Sequence, residues 1–302
     1  MISYNDLNTY LRRRFGRKVY KIPINGGFTC PNRDGTLGTG GCIFCSGYGS
    51  GDFAPDAGLS VSEQIRRGIE AVAAKMPEGM PGVTRGAYIA YFQAFTNTYA
   101  PAERLRKLYS EAIEHPDIVA ISIATRPDCL PEDVLDLLGE MNRIKPVWVE
   151  LGLQTIHSRS AEYIRRRYDL AVYDRAVWEL GKRGLETITH VILGIPGETR
   201  EEMLETVKYV GSSRVQGIKL QLLHVIEGTD LAADYRAGKF ECMTMDEYID
   251  LIADCLKILP PDIVIHRMTG DGARKTLVAP LWSADKKRVL NALKKKLTET
   301  KG

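Results

Sequence analysis

The strongest constraint on what this chain can fold into is an alternation of two hydrophobic periodicities. Short apolar runs at residues 19–24, 86–92, 118–124, 147–153, 187–193 and 217–223 have the length and β-branched content of strands. Between them lie segments with apolar residues at helical spacing. These are residues 101–114, with Pro101 suited to a first turn, and 131–141, with Val134, Leu135, Leu137 and Leu138 as the apolar side, followed by 160–167, 172–183 and 200–210. Residues 245–258 read as a further helix and 263–265 as a short strand. Strand–helix alternation predicts parallel β-α units, and near-continuous apolar strands predict a sheet covered on both faces. The expected fold is therefore α/β: a full or partial β/α (TIM-like) barrel of parallel strands with a helical C-terminal extension. We place the barrel core, with a basic N-terminal segment, at residues 1–226, and the extension packed on it at 227–302. In such a barrel the chemistry lies at the carboxyl ends of the strands.

The loop after the first strand carries Cys30, Cys42 and Cys45, in the run CPNRDGTLGTGGCIFC. Three clustered thiolates can hold a four-iron cluster and leave one iron without a protein ligand, since an all-protein site uses four. Gly35, Gly38, Gly40 and Gly41 between them let the backbone pass close to a bulky group. A structural zinc site is the competing reading. It asks for four ligands, and the next cysteine and nearest histidine are Cys129 and His115, far along the chain. Cys129, Cys242 and Cys255 read as buried or incidental. The cysteines alone leave cluster and zinc both open.

Charge enters through its distribution, because the net value is only +3. Arg12, Arg13, Arg14, Arg17, Lys18 and Lys21 form a run without acids; Arg165, Arg166 and Arg167 form a second; Lys286, Lys287, Arg288, Lys294, Lys295, Lys296 and Lys301 form a third. Such runs can contact a phosphate backbone. The third also places Val289, Leu290, Leu293 and Leu297 at helical spacing, as expected of an amphipathic helix with its lysines in water. No apolar run approaches the roughly 20 residues that span a bilayer. The N-terminus lacks the pattern of a secretory signal. No membrane association and a cytoplasmic location are the expectations.

A cysteine cluster after the first strand of a β/α barrel resembles the radical S-adenosylmethionine superfamily. Its usual spacing is Cys-x3-Cys-x2-Cys; the wider spacing here is similar to that of the branch containing the Elongator catalytic subunit and the bacterial YtqA/YhcC-type proteins. Four further stretches resemble the bacterial type: YFQAFTNTYAP at 91–101, ATRPDCL at 124–130, ELGLQT at 150–155 and HVILGIPGET at 190–199. HRMTGD at 266–271 also looks typical of the family. The resemblance covers about residues 20–282.

The resemblance implies that Cys30, Cys42 and Cys45 bind a [4Fe–4S] cluster whose fourth iron takes the amino and carboxylate groups of S-adenosylmethionine. Reductive cleavage would then yield a 5′-deoxyadenosyl radical that abstracts a substrate hydrogen. Gln93 and Ala94 would cup the methionine amino group. Glu150 and Gln154 would face the carboxylate and ribose, and His190 would lie near the adenosine. Arg166 matches an arginine of the family's Asn-Arg-Gly-His segment, which here reads Arg165-Arg166-Arg167-Tyr168. The branch further implies a tRNA wobble uridine as substrate, its carboxymethylaminomethyl group at carbon 5 being processed to aminomethyl. An electron donor such as flavodoxin or ferredoxin and a methyltransferase acting downstream would be partners. A small-metabolite substrate, or a zinc-stabilised nucleic-acid-binding protein without catalysis, are the alternatives.

Overall fold

The computed structural model describes residues 2–49, 51, 54–74, 87–270 and 275–299; Gly86, Asp271 and Lys301 of the segments above lie outside them. A two-residue strand β1 (Asn5–Asp6) leads into helix α1 (Leu7–Phe15) and strand β2 (Tyr20–Ile24). After the cysteine loop come α2 (Val61–Ala73), β3 (Tyr88–Phe92), α3 (Ala102–Glu114), β4 (Ile118–Thr125) and α4 (Glu132–Asn142). Then follow β5 (Val147–Gln154), α5 (Ser158–Tyr163), α6 (Leu170–Lys182), β6 (Glu186–Leu193), α7 (Arg200–Ser212) and β7 (Gly217–Leu222). The remainder is β8 (Val225–Ile226), α8 (Asp230–Arg236), α9 (Met245–Ile258), β9 (Val264–Arg267), β10 (Leu277–Ala279) and α10 (Lys286–Glu299).

Eight strands form one parallel sheet in the order β2-β3-β4-β5-β6-β7-β9-β1. The sheet curls. Lys219 of β7 donates to the Tyr91 hydroxyl of β3 at 3.0 Å, although four strand spacings in a flat sheet would separate them by about 19 Å. Lys21 of β2 likewise reaches Glu150 of β5 at 2.7 Å. The edges β2 and β1 do not pair with each other, so the barrel is partial. β8 and β10 pair separately and antiparallel. Residues beyond 226 contribute β9 to the main sheet as well as helices on its outside, with α9 packed on α7 and α10 on α9.

Two apolar cores follow from the alternation of side chains across each strand. The outward set, including Phe92, Ile123, Val149, Leu151 and Leu220, packs against the surrounding helices. The inward set at the amino ends of the strands, Val19, Ile89, Ala120, Trp148 and Ile188, packs against Leu11 of α1. Helix α1 therefore stoppers the base of the barrel. It starts where the Asp6 carboxylate accepts from the Thr9 N–H at 3.0 Å and stops at Gly16, with φ 69°. Arg12, Arg13 and Arg14 fill its last turn, where cations favour the helix dipole.

The helix expected over 160–167 is shorter: α5 ends at Tyr163, and Arg165 and Arg167 take left-handed backbone angles. Helices α1, α2 and α8 fall outside the segments given a helical reading from sequence.

Candidate active site

The carboxyl ends of the strands surround a cavity of about 360 Å³. Its upper wall is the cysteine loop, with Cys30, Cys42 and Cys45; its lower wall is built from inward side chains of the strands, among them Tyr91, Glu150, His190 and Lys219. The loop is anchored on two sides and braced from within. Ile43 N–H donates to the Ile164 carbonyl at 3.2 Å, and Leu231 N–H donates to the Ile43 carbonyl at 3.1 Å. Within it, the Arg33 guanidinium donates to the carbonyls of Cys45 and Ser46 at 2.9 and 2.7 Å. Gly41 makes this possible: it holds φ 74°, and a Cβ there would meet Arg33 Nε at 2.9 Å.

Four non-glycine residues among those described have left-handed backbone angles: Phe95, Gln154, Arg165 and Arg167. Phe95 and Gln154 line the cavity, and the two arginines flank Arg166, which also lines it. Strain of this kind costs about 1–3 kcal/mol per residue and gathers where function requires it.

The Asn32 amide donates to the Arg165 carbonyl at 2.8 Å and lies 3.4 Å from Cys42 Sγ. Burial, then the charge of Cys45, pushes the Cys42 thiol up to about 12, with Arg126 and Asn32 pulling the other way. A thiolate at Cys42 thus calls for a cationic centre beside it. Among the described residues no three His, Cys, Asp or Glu side chains are grouped to hold a metal ion. Thiolates on one tetrahedral zinc would lie roughly 3.8 Å apart. A [4Fe–4S] cluster presents its irons at separate corners, and three thiolates on one wall could ligate three of them and leave one open.

Below, Glu150 is wholly buried. Its Oε1 accepts from Lys21 Nζ at 2.7 Å and Ser122 Oγ at 2.6 Å; its Oε2 accepts from Lys219 Nζ and contacts His190 Nε2 at 2.7 Å. Burial acts against its charge, but Lys21, Lys219 and His190 together hold the carboxyl well below the usual range. Burial brings His190 down to about 4 and Lys219 down to about 7.

The family model for the Radical SAM superfamily matches residues 30–210, and that for the Radical_SAM C-terminal domain matches residues 215–299. The chain belongs to the radical SAM superfamily. This radical SAM protein is 47% identical over 294 residues to protein YtqA of Bacillus subtilis (strain 168), across 97% of this chain and 89% of YtqA. It is 28% identical over 165 residues to the tRNA uridine(34) acetyltransferase of Methanocaldococcus jannaschii, across 54% of this chain and 30% of that one. The archaeal Methanocaldococcus infernus Elp3 with an N-terminal deletion superposes with a TM-score of 0.66 over 92% of this chain and 63% of that one. At 19% identity, that likeness is one of fold. The cofactors of the superfamily, a [4Fe–4S] cluster and S-adenosylmethionine, are those of this chain.

Of the residues named from sequence, Cys30, Cys42, Cys45, Gln93, Glu150, Gln154, Arg166 and His190 all line the radical SAM cavity. Ala94 is buried outside that lining, where a Cβ on Gly51 would meet its methyl at 2.7 Å. Arg166 is committed to the backbone, donating to the carbonyls of Leu153, Thr155 and Tyr168. It ties the end of β5 to the turn after α5.

Part of each basic run is engaged within the fold, although many of its members are exposed. Lys21 is inside the barrel, Arg14 pairs with Glu186 at the start of β6, and Arg165 pairs with Asp230. Lys296 reaches Asp250 at 2.7 Å. Sequence reading passed over Lys219, and it named Tyr91, Arg126 and Arg267 only within the stretches at 91–101, 124–130 and 266–271. A signal existed for Lys219: it and Gln221 are polar at alternate positions of an otherwise apolar strand, which places both on the interior face.

Proposed function

We propose that this radical SAM enzyme modifies the C5 side chain of a tRNA wobble uridine, converting carboxymethylaminomethyl to aminomethyl. The carboxymethyl carbon would lose a hydrogen atom to the cofactor's radical and one electron back to the cofactor. Water would then cleave the carbon–nitrogen bond of the resulting imine, releasing the two-carbon fragment as glyoxylate. The observation that carries the reading is the match to a protein named for its action on tRNA uridine 34. In this reading Cys30, Cys42 and Cys45 hold three irons, and the fourth faces the cavity. When bound, the cluster and S-adenosylmethionine supply reductive, hydrogen-abstracting chemistry. The chain's own residues bind and orient. Gln93, Gln154 and His190 offer polar groups along the wall where the cofactor would lie, with Ala94 backing Gln93. Glu150 holds the barrel interior together, and Arg166 fixes the strained end of β5. The curled sheet, closed below by α1, keeps water from the reacting atoms.

An electron donor such as flavodoxin or ferredoxin, and a methyltransferase taking the aminomethyl product, are the partners proposed. No helix among the described residues is long and apolar enough to cross a membrane. A small-metabolite substrate is the second reading, favoured by the engagement of Lys21, Arg14 and Arg165 within the fold.

Two measurements test the proposal. Reduced, reconstituted protein is expected to convert S-adenosylmethionine to 5′-deoxyadenosine and methionine; formation of S-adenosylhomocysteine alone would contradict it. Nucleosides from cells lacking the protein are expected to accumulate carboxymethylaminomethyluridine. An unchanged profile would leave the radical chemistry standing and remove the tRNA substrate.

A further inference from the structure

Asn32 lies in the loop between Cys30 and Cys42 and is only 1% exposed. Its backbone carbonyl accepts from the N–H of Gly41, the residue before Cys42, at 2.7 Å. Its side-chain Nδ2 donates to the Arg165 carbonyl at 2.8 Å and to Cys42 Sγ at 3.4 Å. An amide nitrogen carries two hydrogens, and these two acceptors use both. Its Oδ1 is buried and, among the described residues, has no hydrogen-bond partner. A buried acceptor left unmet costs about 1–3 kcal/mol. A leucine of similar shape would avoid that cost, so packing alone does not explain an amide at this position.

The two acceptors do explain it. The Cys42 thiol lies 3.8 Å from the same Arg165 carbonyl and can donate to it. As an iron ligand Cys42 is a thiolate and has no hydrogen to give. Sulfur and carbonyl oxygen would then face each other as two electron-rich atoms. The Asn32 NH2 group meets both, with one hydrogen for each. Turned over, the amide would set its own oxygen against them, so its orientation is fixed. Arg165 presents that carbonyl from a left-handed backbone, with φ 58°.

We infer that Asn32 is a positioning residue that donates an N–H···S hydrogen bond to the Cys42 ligand and thereby raises the reduction potential of the cluster. Reduction adds one electron, and its charge spreads onto the sulfurs. A fixed N–H dipole aimed at one of them stabilises the reduced state more than the oxidised one. Hydrogen bonds to the sulfurs are among the features that set such potentials. Asn32 would therefore ease electron transfer from the donor protein, while making the reduced cluster a milder reductant. The inference rests on the reading of Cys42 as an iron ligand and holds whatever the substrate is.

Reconstituted full-length protein is compared with its Asn32→Leu and Thr36→Val variants, after iron analysis of each. Thr36 belongs to the same loop, where its hydroxyl meets that of Tyr99 at 2.9 Å, and controls for disturbance of the loop. The cluster midpoint is read by electron paramagnetic resonance during a redox titration without S-adenosylmethionine. Asn32→Leu is expected to raise the oxidised-to-reduced ratio about tenfold at a given potential, a midpoint about 59 mV more negative for a one-electron couple. Thr36→Val is expected to match the wild type. An unmoved midpoint in iron-replete Asn32→Leu overturns the inference, and so does an equal shift in Thr36→Val. Should Asn32→Leu fail to hold the cluster, the wild type decides, grown with asparagine carrying the heavy nitrogen isotope. Electron–nuclear double resonance of its reduced cluster is expected to show coupling to that nitrogen, and no coupling overturns the inference. If Cys42→Ala keeps its iron, the ligand reading fails and takes this inference with it, a result distinct from an unmoved midpoint.

Discussion

A carboxylate shut away from solvent is stable only where its charge is met, and Glu150 is met by side chains from β2, β4, β6 and β7. Removing one member of a buried ionic set leaves the others uncompensated and costs about 3–5 kcal/mol. Glu150→Leu is therefore expected to lower stability by about that amount in denaturant unfolding. Glu150→Leu combined with Lys219→Met should cost less than the two single changes added together, because the surplus ammonium goes with the carboxylate. Simple additivity would show that the pair is not coupled. The cysteines give a second residue-scale expectation. Cys30→Ala, Cys42→Ala or Cys45→Ala should each lose cluster iron, and Cys242→Ala should keep it, by iron analysis after anaerobic reconstitution. A full iron complement in Cys42→Ala would sink the ligand assignment. The cysteine triplet was legible because its three members share one loop. The Glu150 set was not, because its members are scattered from residue 21 to residue 219 and meet only through the register of the sheet. Lys21 in particular reads as the end of a surface basic run until β2 is seen to turn it inward.

At the level of elements, strands and helices with strong periodicity were readable, and α9 matches its expected limits at residues 245–258. Elements that depend on tertiary support were not. β1 is two residues long and exists only because β9 offers an edge to pair with. α1 has a single fully buried side chain, Leu11, so its sequence shows the run of arginines more plainly than the apolar contact. That contact is nonetheless what closes the barrel base, against Val19, Ile89, Trp148 and Ile188. Leu11→Ala is expected to cost about 2–5 kcal/mol, as for other buried leucines. Arg13→Ala, exposed on the same helix, should change stability by no more than about 0.5 kcal/mol. Chemical denaturation of both variants checks the contrast. Equal, small effects would mean that α1 is not a stopper. The loss of helix beyond Tyr163 has a local cause: Arg166 turns inward to bind three carbonyls of the β5–α5 and following turns, which a continued helix would not allow.

Across the whole molecule, the parallel, partly closed barrel and the position of the cysteine loop at its carboxyl rim were both legible, since strand–helix alternation fixes handedness and with it the functional end. The placement of charge was not. Sequence puts Arg12, Arg13, Arg17 and Lys18 beside the first strand, suggesting phosphate contacts near the chemistry. The structure puts α1 against the amino ends of the strands, at the opposite end of the barrel from the cavity. A base entering the cavity mouth would leave its neighbouring phosphates near the cysteine loop and the turn after α5, where Arg167 is exposed and reaches the Leu37 carbonyl. Each phosphate contact that is lost flattens the salt dependence of binding by about one slope unit or somewhat less. Arg13→Glu with Arg17→Glu is therefore expected to leave both tRNA affinity and its salt slope unchanged, whereas Arg167→Gln should weaken binding and flatten the slope. Binding titrations at several salt concentrations decide between the two ends of the barrel. A strong effect of the α1 reversals with none at Arg167 would mean that the RNA wraps the base of the barrel, and that the mouth accepts its nucleotide without help from neighbouring phosphates.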